Sequence, residues 1–430
     1  MTKTVGVGIA GLGTVGAGVV ELLRKNGDRI ARRCGSRIEV AAVSARDRAR
    51  DRGVDLAGVT WHDDAAALAA DPAVDIVLEL IGGSDGIARA VIDAAIAAGK
   101  PVVTANKALL ALHGSEIAEA AEAAGIALAY EAAVAGGIPI VKAMREGLAA
   151  NRISRVYGIL NGTCNYILTE MAASGRDFND ILADAQRLGF AEADPTFDVE
   201  GIDAAHKLAI LTSIAFGSAV NFEAVHIEGI ANVAATDIAY ARELGYVIKL
   251  LAIARQTPNG IEQRVHPCMV PAEAAIAKID GVFNAVVADG DFVDSTVYVG
   301  RGAGAGPTAS AVVADVIDIV AGRQAPIFGV PSADMSRFEA VPMARHVGCY
   351  YVRLVVYDRP GVIAEISAVL RDERISIDSL LQRGRSENEP VPVVMLTHET
   401  EEAAMLRALE AFRRIESVIE PPRIIRIEEF

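Results

Sequence analysis

The sequence is poor in cysteine. Its four cysteines, Cys34, Cys164, Cys268 and Cys349, are scattered along 430 residues, and none belongs to a C-x-x-C pair. A disulfide framework or a structural zinc site needs cysteines at closer and more regular spacing. Neither is predicted, and a reducing cytoplasm is the expected compartment.

Excess positive charge and long uncharged segments are also missing. The formal net charge is −15, so nonspecific binding to nucleic acid is not expected. The uncharged runs, Leu208 to Phe222 among them, fall short of the roughly 18 residues that a membrane helix needs. The first three residues lead directly into a strand-like run, leaving no room for a signal peptide. No membrane partner is expected.

Hydrophobic residues are abundant, although aromatic ones are few. They make up 52% of the chain against 5% for the aromatics, which is a globular composition with ample material for a core. The length suggests about three domains.

A glycine-rich segment follows the first apolar run, Thr4 to Ala10. It reads G-x-G-x-x-G, and a helical pattern continues from it through Leu23. Between a strand and a helix, such glycines allow a tight turn, close approach of the backbone to a pyrophosphate, and close helix–strand packing. The segment predicts a dinucleotide site formed by Gly11, Leu12, Gly13, Thr14, Val15 and Gly16.

Alternation of strands and helices continues to about residue 130. Strand-like runs occur at 38–44, 74–80, 101–104 and 126–130, with helical patterns at 86–98 and 115–124. This order predicts an α/β fold with a parallel, doubly wound, Rossmann-like sheet.

The end of the second strand bears on the choice between NAD and NADP. A small residue with a nearby arginine accommodates a 2′-phosphate, whereas an acid binds the ribose hydroxyls. Ser44 and Arg46 therefore favour NADP, while Asp47 keeps NAD open.

The stretch from Ala185 to Lys207 places five acids before a lysine. Asp203 and Lys207 are spaced i, i+4, so on a helix they share one face. The helix continues as an apolar run, which predicts burial. An ordinary helical ion pair is one interpretation, but a desolvated pair is costly and a buried lysine suits proton transfer. A calcium loop opening at Asp194 is excluded, because its sixth position is Val199 instead of glycine.

This stretch resembles the signature of the homoserine dehydrogenase family. The matching positions are Ala185, Gly189, Asp194, Pro195, Asp198, Gly201, Asp203 and Lys207. Two further segments are family-like, namely 104–107 (TANK) and 161–166 (NGTCNY). Cys164 stands where serine is common in the family, and we interpret it as a packing residue, since no histidine motif accompanies it.

The resemblance implies reversible reduction of L-aspartate 4-semialdehyde to L-homoserine with NAD(P)H. It implies that Lys207 transfers the proton with the help of Lys107, and that Asp203 orients Lys207 and the substrate. It also implies that Glu192 and Asp198 bind the ammonium group of the substrate. The remaining implied contacts are Gly162 and Thr163 for substrate and Thr104, Lys107, Gly189 and Gly304 for cofactor.

A glycine-rich loop at 131–139 joins the first region to the next. Read from its residues alone, it is a flexible connector. The resemblance implies a monovalent cation, Na⁺ or K⁺, held largely by backbone carbonyls of Glu131, Val134, Gly136 and Ile138. A second glycine-rich loop, at 300–308, precedes a helix that reaches about Ala321 and returns to the nucleotide region.

The residues after about 348 follow the order β-α-β-β-α-β, which is ferredoxin-like. The turn Asp358, Arg359, Pro360 and Gly361 resembles the ligand turn of ACT domains, so an amino-acid effector is expected, with threonine implied as the pathway's end product. A packing or dimerisation module is the alternative.

Together these predictions give three regions. A nucleotide domain covers 1–130 and is completed by about 305–340, an α+β catalytic and dimerisation domain covers 131–304, and an ACT domain covers 349–430. A homo-oligomer is the family expectation. Two alternatives remain, another amino-acid dehydrogenase and a non-catalytic amino-acid sensor.

Overall fold

The computed structural model describes residues 3–383 and 389–430, and its N-terminal region is a six-stranded sheet. All neighbouring strands run parallel, in the order β3-β2-β1-β4-β5-β6. The strands are β1 (Lys3–Ala10), β2 (Ser36–Ser44), β3 (Thr60–Trp61), β4 (Ile76–Glu79), β5 (Val102–Thr104) and β6 (Leu128–Ala129). The predicted doubly wound sheet is confirmed, and its order places a crevice at the carboxyl ends of β1 and β4.

Three helices connect these strands: α1 (Thr14–Cys34), α2 (Ile87–Ala97) and α3 (Lys107–Ala123). Helix α3 starts eight residues earlier than the pattern predicted. The reason is a cap: the side chain of Asn106 accepts a hydrogen bond from the backbone N–H of Leu109 at 3.1 Å. The early start puts Lys107 in the first turn, at the end of the sheet that faces the crevice.

The middle region builds an antiparallel sheet covered by helices. Its strands run in the order β12-β11-β7-β9-β10, with β8 against β10. Its elements are α4 (Ile140–Lys142), β7 (Ile153–Ile159), α5 (Gly162–Ser174), α6 (Phe178–Arg187), α7 (Thr196–Val199), α8 (Ile202–Phe216), β8 (His226–Ile227), α9 (Ala235–Glu243), β9 (Tyr246–Thr257), β10 (Gly260–Pro271), β11 (Phe283–Gly290) and β12 (Asp294–Arg301). Helix α8 is buried from Asp203 to Ile214, as its apolar sequence predicted.

Helix α10 (Ala305–Val320) returns the chain to the first region. Val312 and Val316 share a core with Val19 and Leu23 of α1. Gly18 makes this packing close, because a Cβ there would lie 2.8 Å from the carbonyl oxygen of Ala305. The glycine-rich loop at 300–308 therefore leads into a helix whose first turn packs against the start of α1.

The C-terminal region has the predicted ferredoxin-like order. Its sheet runs β17-β13-β15-β14, with a short β16 beside β13. The elements are β13 (Val347–Tyr357), α11 (Val362–Asp372), β14 (Ile377–Gln382), β15 (Pro390–Thr397), β16 (Thr400–Glu401), α12 (Glu402–Phe412) and β17 (Arg423–Ile427).

One strand pairing joins the C-terminal region to the middle one. Strand β17 lies parallel to β10, with Cys268 opposite Arg426 and Met269 opposite Ile427. The two sheets thereby become one sheet of eleven strands, a continuity that the sequence pattern did not predict. No helix in the described ranges is long and apolar enough to cross a membrane.

Candidate active site

A cavity of about 620 Å³ lies between the nucleotide-type sheet and the middle region. Side chains and backbone from eight separate segments line it, including the glycine-rich loops at 131–139 and 300–308. The predicted site residues that it brings together are Thr14, Val15, Lys107, Gly136, Gly162, Thr163, Gly189, Glu192, Asp198, Asp203, Lys207 and Gly304.

The centre of this cavity is a carboxylate held between two lysines. Lys207 Nζ lies 2.7 Å from Asp203 Oδ2, and Lys107 Nζ lies 3.2 Å from Asp203 Oδ1. Lys207 also donates to the carbonyl oxygen of Leu160 at 2.7 Å. An ammonium group has three N–H donors, so Lys207 keeps one donor beyond these two acceptors.

The charge of Asp203 is fixed by its neighbours. Burial alone would raise its pKa, but the charges of Lys207 and Lys107, with hydrogen bonds from Lys207 and Asn161, outweigh burial and lower the pKa to about 2. The carboxylate is therefore ionised at neutral pH. The pair that looked costly from the sequence is compensated by these groups.

Asn161 connects the two acids of the cavity. Its Nδ2 donates to Asp198 Oδ1 at 2.7 Å and to Asp203 Oδ2 at 2.9 Å, while its Oδ1 accepts from Cys164 N and caps α5. Burial, followed by the charge of Asp203, raises the pKa of Asp198. Asn161 was not among the predicted site residues, although its place before a helix inside the NGTCNY segment was an available signal.

Asn284 is a second residue that the sequence did not reveal. Its Nδ2 donates to the carbonyl oxygen of Leu160 at 2.9 Å, the same oxygen that receives Lys207. It reaches the cavity from β11, and Gly302 packs so closely on it that any side chain at 302 would overlap the amide. Nothing in its local sequence marks this position.

Two further residues of the cavity, Glu192 and Thr163, are linked through one loop. Glu192 lies exposed at the cavity, and its backbone is held by Gln186 Nε2, which donates to the carbonyl oxygens of 192 and 193 at 3.0 and 3.3 Å. The hydroxyl of Thr163 donates to the carbonyl oxygen of Phe190 at 2.8 Å. Thr163 therefore fixes the loop that carries Glu192.

Cys164 is buried behind the cavity. Its Sγ donates to the carbonyl oxygen of Asp198 at 3.2 Å, and burial raises the pKa of the thiol well above its usual value. It remains a neutral thiol, which confirms its interpretation as a packing residue.

An aromatic stack covers one side of the lysines. His206 packs between Phe197 and Phe222, with ring centroids 5.5 and 4.4 Å away, and Lys107 Nζ lies 5.5 Å from the Phe197 ring. Burial, and next the charge of Lys107, lower the pKa of His206 to about 4. His206 is therefore neutral at pH 7 and adds no charge to the site.

The glycine-rich segment at 11–16, between β1 and α1, has the geometry that its spacing predicted. Gly11 has φ +102°, donates its N–H to the carbonyl oxygen of Ser44 at 2.9 Å, and lies against the carbonyl of Leu80. A side chain on Gly16 would overlap the carbonyl of Gly11, whereas Gly13 faces open space. The backbone around Gly13 is thus accessible to a ligand.

Thr104 does not line the cavity. It is fully buried, and its hydroxyl donates to Glu79 Oε2 at 2.6 Å. Burial raises the pKa of Glu79. Thr104 thus joins the carboxyl ends of β4 and β5, and its buried side chain is not available to a cofactor.

The loop after β2 carries several arginines beside the glycine loop. Ser44 is buried and Arg46 is exposed. Arg52, which the sequence analysis did not single out, donates to the carbonyl oxygens of Leu12 at 3.1 Å and Asp47 at 2.5 Å. It ties this loop to the first glycine loop, so Arg46 is held near the nucleotide crevice.

The loop predicted to bind a cation folds tightly under the cavity. Both carboxylate oxygens of Glu131 accept backbone N–H groups of α4, from Val141 and Lys142, at 2.9 Å each. Burial, and then the charge of Asp315, raise the pKa of Glu131 to about 7. The Ile138 carbonyl accepts the N–H of 140 at 2.7 Å. This leaves backbone carbonyls, not the Glu131 carboxylate, as ligands for an ion.

The predicted effector turn lies outside this cavity, between β13 and α11. Gly361 has φ +101° and opens α11, and Asp358 Oδ1 accepts from Gln382 Nε2 at 3.2 Å. The turn is thus held against β14, at the edge of the C-terminal sheet.

Among residues 3–383 and 389–430, one group has ligand atoms close enough for a transition metal: His266, Cys268 and Glu428. Glu428 is already bound by Arg264 through two bonds of 2.8 and 3.0 Å. Burial also keeps the Cys268 thiol neutral by raising its pKa. A guanidinium therefore occupies the place of a metal in this cluster.

The ion pair predicts the stability of an Asp203→Asn variant. Breaking a buried pair costs about 3–5 kcal/mol, so at pH 7 the variant's free energy of unfolding falls by that amount. Because the folded-state pKa of Asp203 lies below its unfolded value, this contribution is present above pH 3.8 and lost as the pH falls toward 2. Urea unfolding at pH 7 and pH 3 measures both effects.

The matched control is Asp63→Asn, an exposed aspartate in a loop. It should change the free energy of unfolding by less than about 0.5 kcal/mol. A difference between wild type and Asp203→Asn that is equal at both pH values would contradict the assigned charge state.

Comparison with known proteins agrees with this geometry. A family model described as homoserine dehydrogenase matches residues 139–317, one described as its NAD-binding domain matches 11–131, and an ACT model matches 350–416. The chain is 46% identical to a homoserine dehydrogenase of Pseudomonas aeruginosa and 45% identical to one of Neisseria gonorrhoeae, over 99% of each chain. It superposes on a homoserine dehydrogenase from Thiobacillus denitrificans with a TM-score of 0.94, at 46% identity and 99% coverage of both. The chain therefore belongs to the homoserine dehydrogenase family of NAD(P)-dependent oxidoreductases, which act on a CH–OH group.

Proposed function

We propose that Lys207, Asp203 and Lys107 carry out the proton transfer in the reversible reduction of L-aspartate 4-semialdehyde to L-homoserine. The observation that carries this proposal is the Lys207–Asp203–Lys107 cluster inside a cavity that also reaches Thr14 and Val15 of the nucleotide loop. The bound nicotinamide supplies or accepts the hydride.

Lys207 is the proton donor for reduction. Asp203 and the Leu160 carbonyl hold two of its N–H groups, so the third points to the substrate oxygen and gives its proton as that oxygen becomes an alcohol. In oxidation the proton returns to Lys207. Lys107, on the other oxygen of Asp203, stabilises negative charge on the reacting oxygen.

Two further acids of the cavity bind the substrate ammonium group. Asp198 is fixed by Asn161 at 2.7 Å, and Glu192 lies exposed at the same cavity. With Gly162, Thr163 and Gly189 shaping the wall, these acids would align the aldehyde with the lysines. This alignment accounts for selection of an amino-acid substrate.

Replacing the proton donor tests this function. Lys207→Ala should lower kcat for homoserine oxidation by about 10²–10⁴-fold, the usual contribution of a placed proton-transfer group. Formation of reduced nicotinamide, followed by its absorbance, is the measurement. Lys25→Ala, an exposed lysine on α1, is the control and should retain wild-type turnover. Near-normal turnover of Lys207→Ala would remove Lys207 from the mechanism.

NADP is the proposed preferred cofactor. Support comes from the small Ser44 at the end of β2 and from Arg46, which the Arg52 contacts to Leu12 and Asp47 hold beside the glycine loop. A guanidinium there pairs with a 2′-phosphate. Gly11, Gly13, Gly16 and Gly304 would hold the pyrophosphate side by their backbone.

Arg46→Ala should therefore raise the KM for NADP about tenfold, the value of one charge-assisted hydrogen bond, and leave the KM for NAD unchanged. Steady-state rates with both cofactors give the comparison. Arg29→Ala, exposed on α1, should alter neither constant. Equal changes for NADP and NAD would contradict the 2′-phosphate contact.

A monovalent cation, Na⁺ or K⁺, is proposed at the 131–138 loop. Among the described residues, no hydrogen bond reaches the carbonyl oxygens of Val134 and Gly136, and such oxygens suit a hard cation. The carbonyls of Glu131 and Ile138 would complete the set with their second lone pairs. A cation here would also offset the buried acids Glu131 and Asp315.

We further propose a division of labour along the chain. Residues 1–130, completed by 305–340, hold the nucleotide, residues 131–304 hold substrate, and residues 349–430 bind an effector. Within residues 3–383 and 389–430, no strand pairs with the outer edge of β12, where Val297 and Val299 are exposed, which supports a homo-oligomer. The four cysteines of the chain are all free thiols, which supports the reducing cytoplasm as the compartment.

Threonine is the proposed effector, bound at the turn from Asp358 to Gly361. The turn contains one positive-φ glycine opening α11 and an acid beside Gln382, and Arg359 and Pro360 are exposed there. Backbone N–H groups and a carboxylate of this kind match the carboxylate and ammonium of an amino acid.

Asp358→Ala should weaken inhibition by threonine at least tenfold, since it removes a charged partner of the ligand, and leave uninhibited turnover unchanged. The inhibition curve of homoserine oxidation is the measurement. Asp372→Ala, exposed on the same domain, is the control. A point variant is chosen because deletion of the domain would also remove β17 from the shared sheet. Unchanged inhibition would place the effector elsewhere.

A further inference from the structure

Arg426 is a buried arginine of β17 that reaches across the boundary between the two sheets. Within its own domain it binds Glu402 at 2.5 and 3.0 Å, and Glu402 also receives the Tyr350 hydroxyl at 2.8 Å. Its remaining arm, Nη1, extends to Glu228 of the middle region at 2.7 Å. The arginine side chain is 4% exposed and that of Glu228 is 38% exposed. Charge-assisted bonds of this kind, mostly out of water, fix position strongly.

Glu228 belongs to a short segment, residues 226–230, that lies between the shared sheet and the substrate acids. Its first half is β8, which pairs with β10 at Arg264 and Val265, and Glu228 N donates to the Val265 carbonyl at 2.7 Å. The segment is thus attached to the sheet on one side.

On its other side, the 226–230 segment supports the joint between α7 and α8. Ile230 N donates to the Val199 carbonyl at 2.9 Å. Gly229 lies so close to the backbone of Val199 and Glu200 that a side chain on it would overlap them. Gly201, which joins the helices with φ +83°, faces Ile227.

The α7–α8 joint carries both acids of the site. Asp198 lies in α7, three residues before Gly201, and Asp203 lies in the first turn of α8. Since packed backbone transmits displacement, a shift of the 226–230 segment moves Asp198, which lies next to its contacts at Val199 and Glu200. Asp203 is held separately by Lys107, Lys207 and Asn161.

From these contacts we infer that Arg426 is a positioning residue for the substrate site. Through Glu228 and the 226–230 segment, the C-terminal domain holds the α7–α8 joint, and with it Asp198, in the geometry that binds substrate. The inference rests on the proposed function, in which Asp198 binds the substrate ammonium group. It differs from that function in giving the C-terminal domain a part in substrate binding before any effector arrives.

The test removes Glu228, the less buried partner in the Arg426–Glu228 ion pair. Glu228→Ala should raise the KM for homoserine about three- to tenfold, within the range found for couplings through a packed network, while kcat and the KM for the nicotinamide cofactor stay near wild type. Glu228→Gln, which keeps an acceptor for Arg426, should restore most of the loss. Glu223→Gln, an exposed glutamate in the same loop, is the control and should match wild type.

A double-mutant cycle separates positioning from a general loss of stability. In an Arg426→Lys background, Glu228→Ala should raise the KM for homoserine by less than it does alone, because the two changes affect one contact. Melting temperatures of all variants are measured alongside. Equal changes in both KM values, additive effects in the cycle, or an unchanged KM for homoserine would overturn the inference. An inactive wild-type enzyme would instead overturn the proposed function, and the inference with it.

Discussion

The carboxylate of Asp203 is the group on which the rest of the site depends. It is buried, and two lysines from different domains meet on its two oxygens. Without it, two ammonium groups would face each other in a poorly solvated cavity, which is strongly unfavourable. Its burial is tolerated because Asn161 and both lysines stabilise the ionised form. The same group therefore joins two regions of the chain and keeps Lys207 in place.

This arrangement links two separate regions of the chain through one carboxylate. Lys107 comes from the end of the parallel sheet, where the nucleotide loop also ends, and Lys207 comes from a buried helix of the middle region. Joining both lysines to one carboxylate fixes the distance between these two regions of the chain. The neutral His206 and the buried thiol of Cys164 fill space around the cluster without adding charge.

The elements with a local signature were predictable. The first glycine loop, the i, i+4 pair on α8 and the order of the C-terminal strands each depend on spacing within one short stretch. The apolar pattern of α3 predicted only its second half, 115–124, because the first turns after the Asn106 cap have a weak pattern. Asn284 could not be found, since it meets Leu160 across 124 residues. Arg52 likewise meets Leu12 only because two strands lie side by side.

The pairing of β17 with β10 has a consequence for how the chain is made. β10 is complete about 150 residues before β17, which at 5–20 residues per second corresponds to roughly 8–30 s of synthesis. During that time one edge of the catalytic sheet has no partner at Cys268 and Met269, and unpaired edges invite pairing with other chains. The segment that finishes the enzyme's sheet thus arrives late, so a ribosome that stalls in the last domain would leave a catalytic region prone to aggregation.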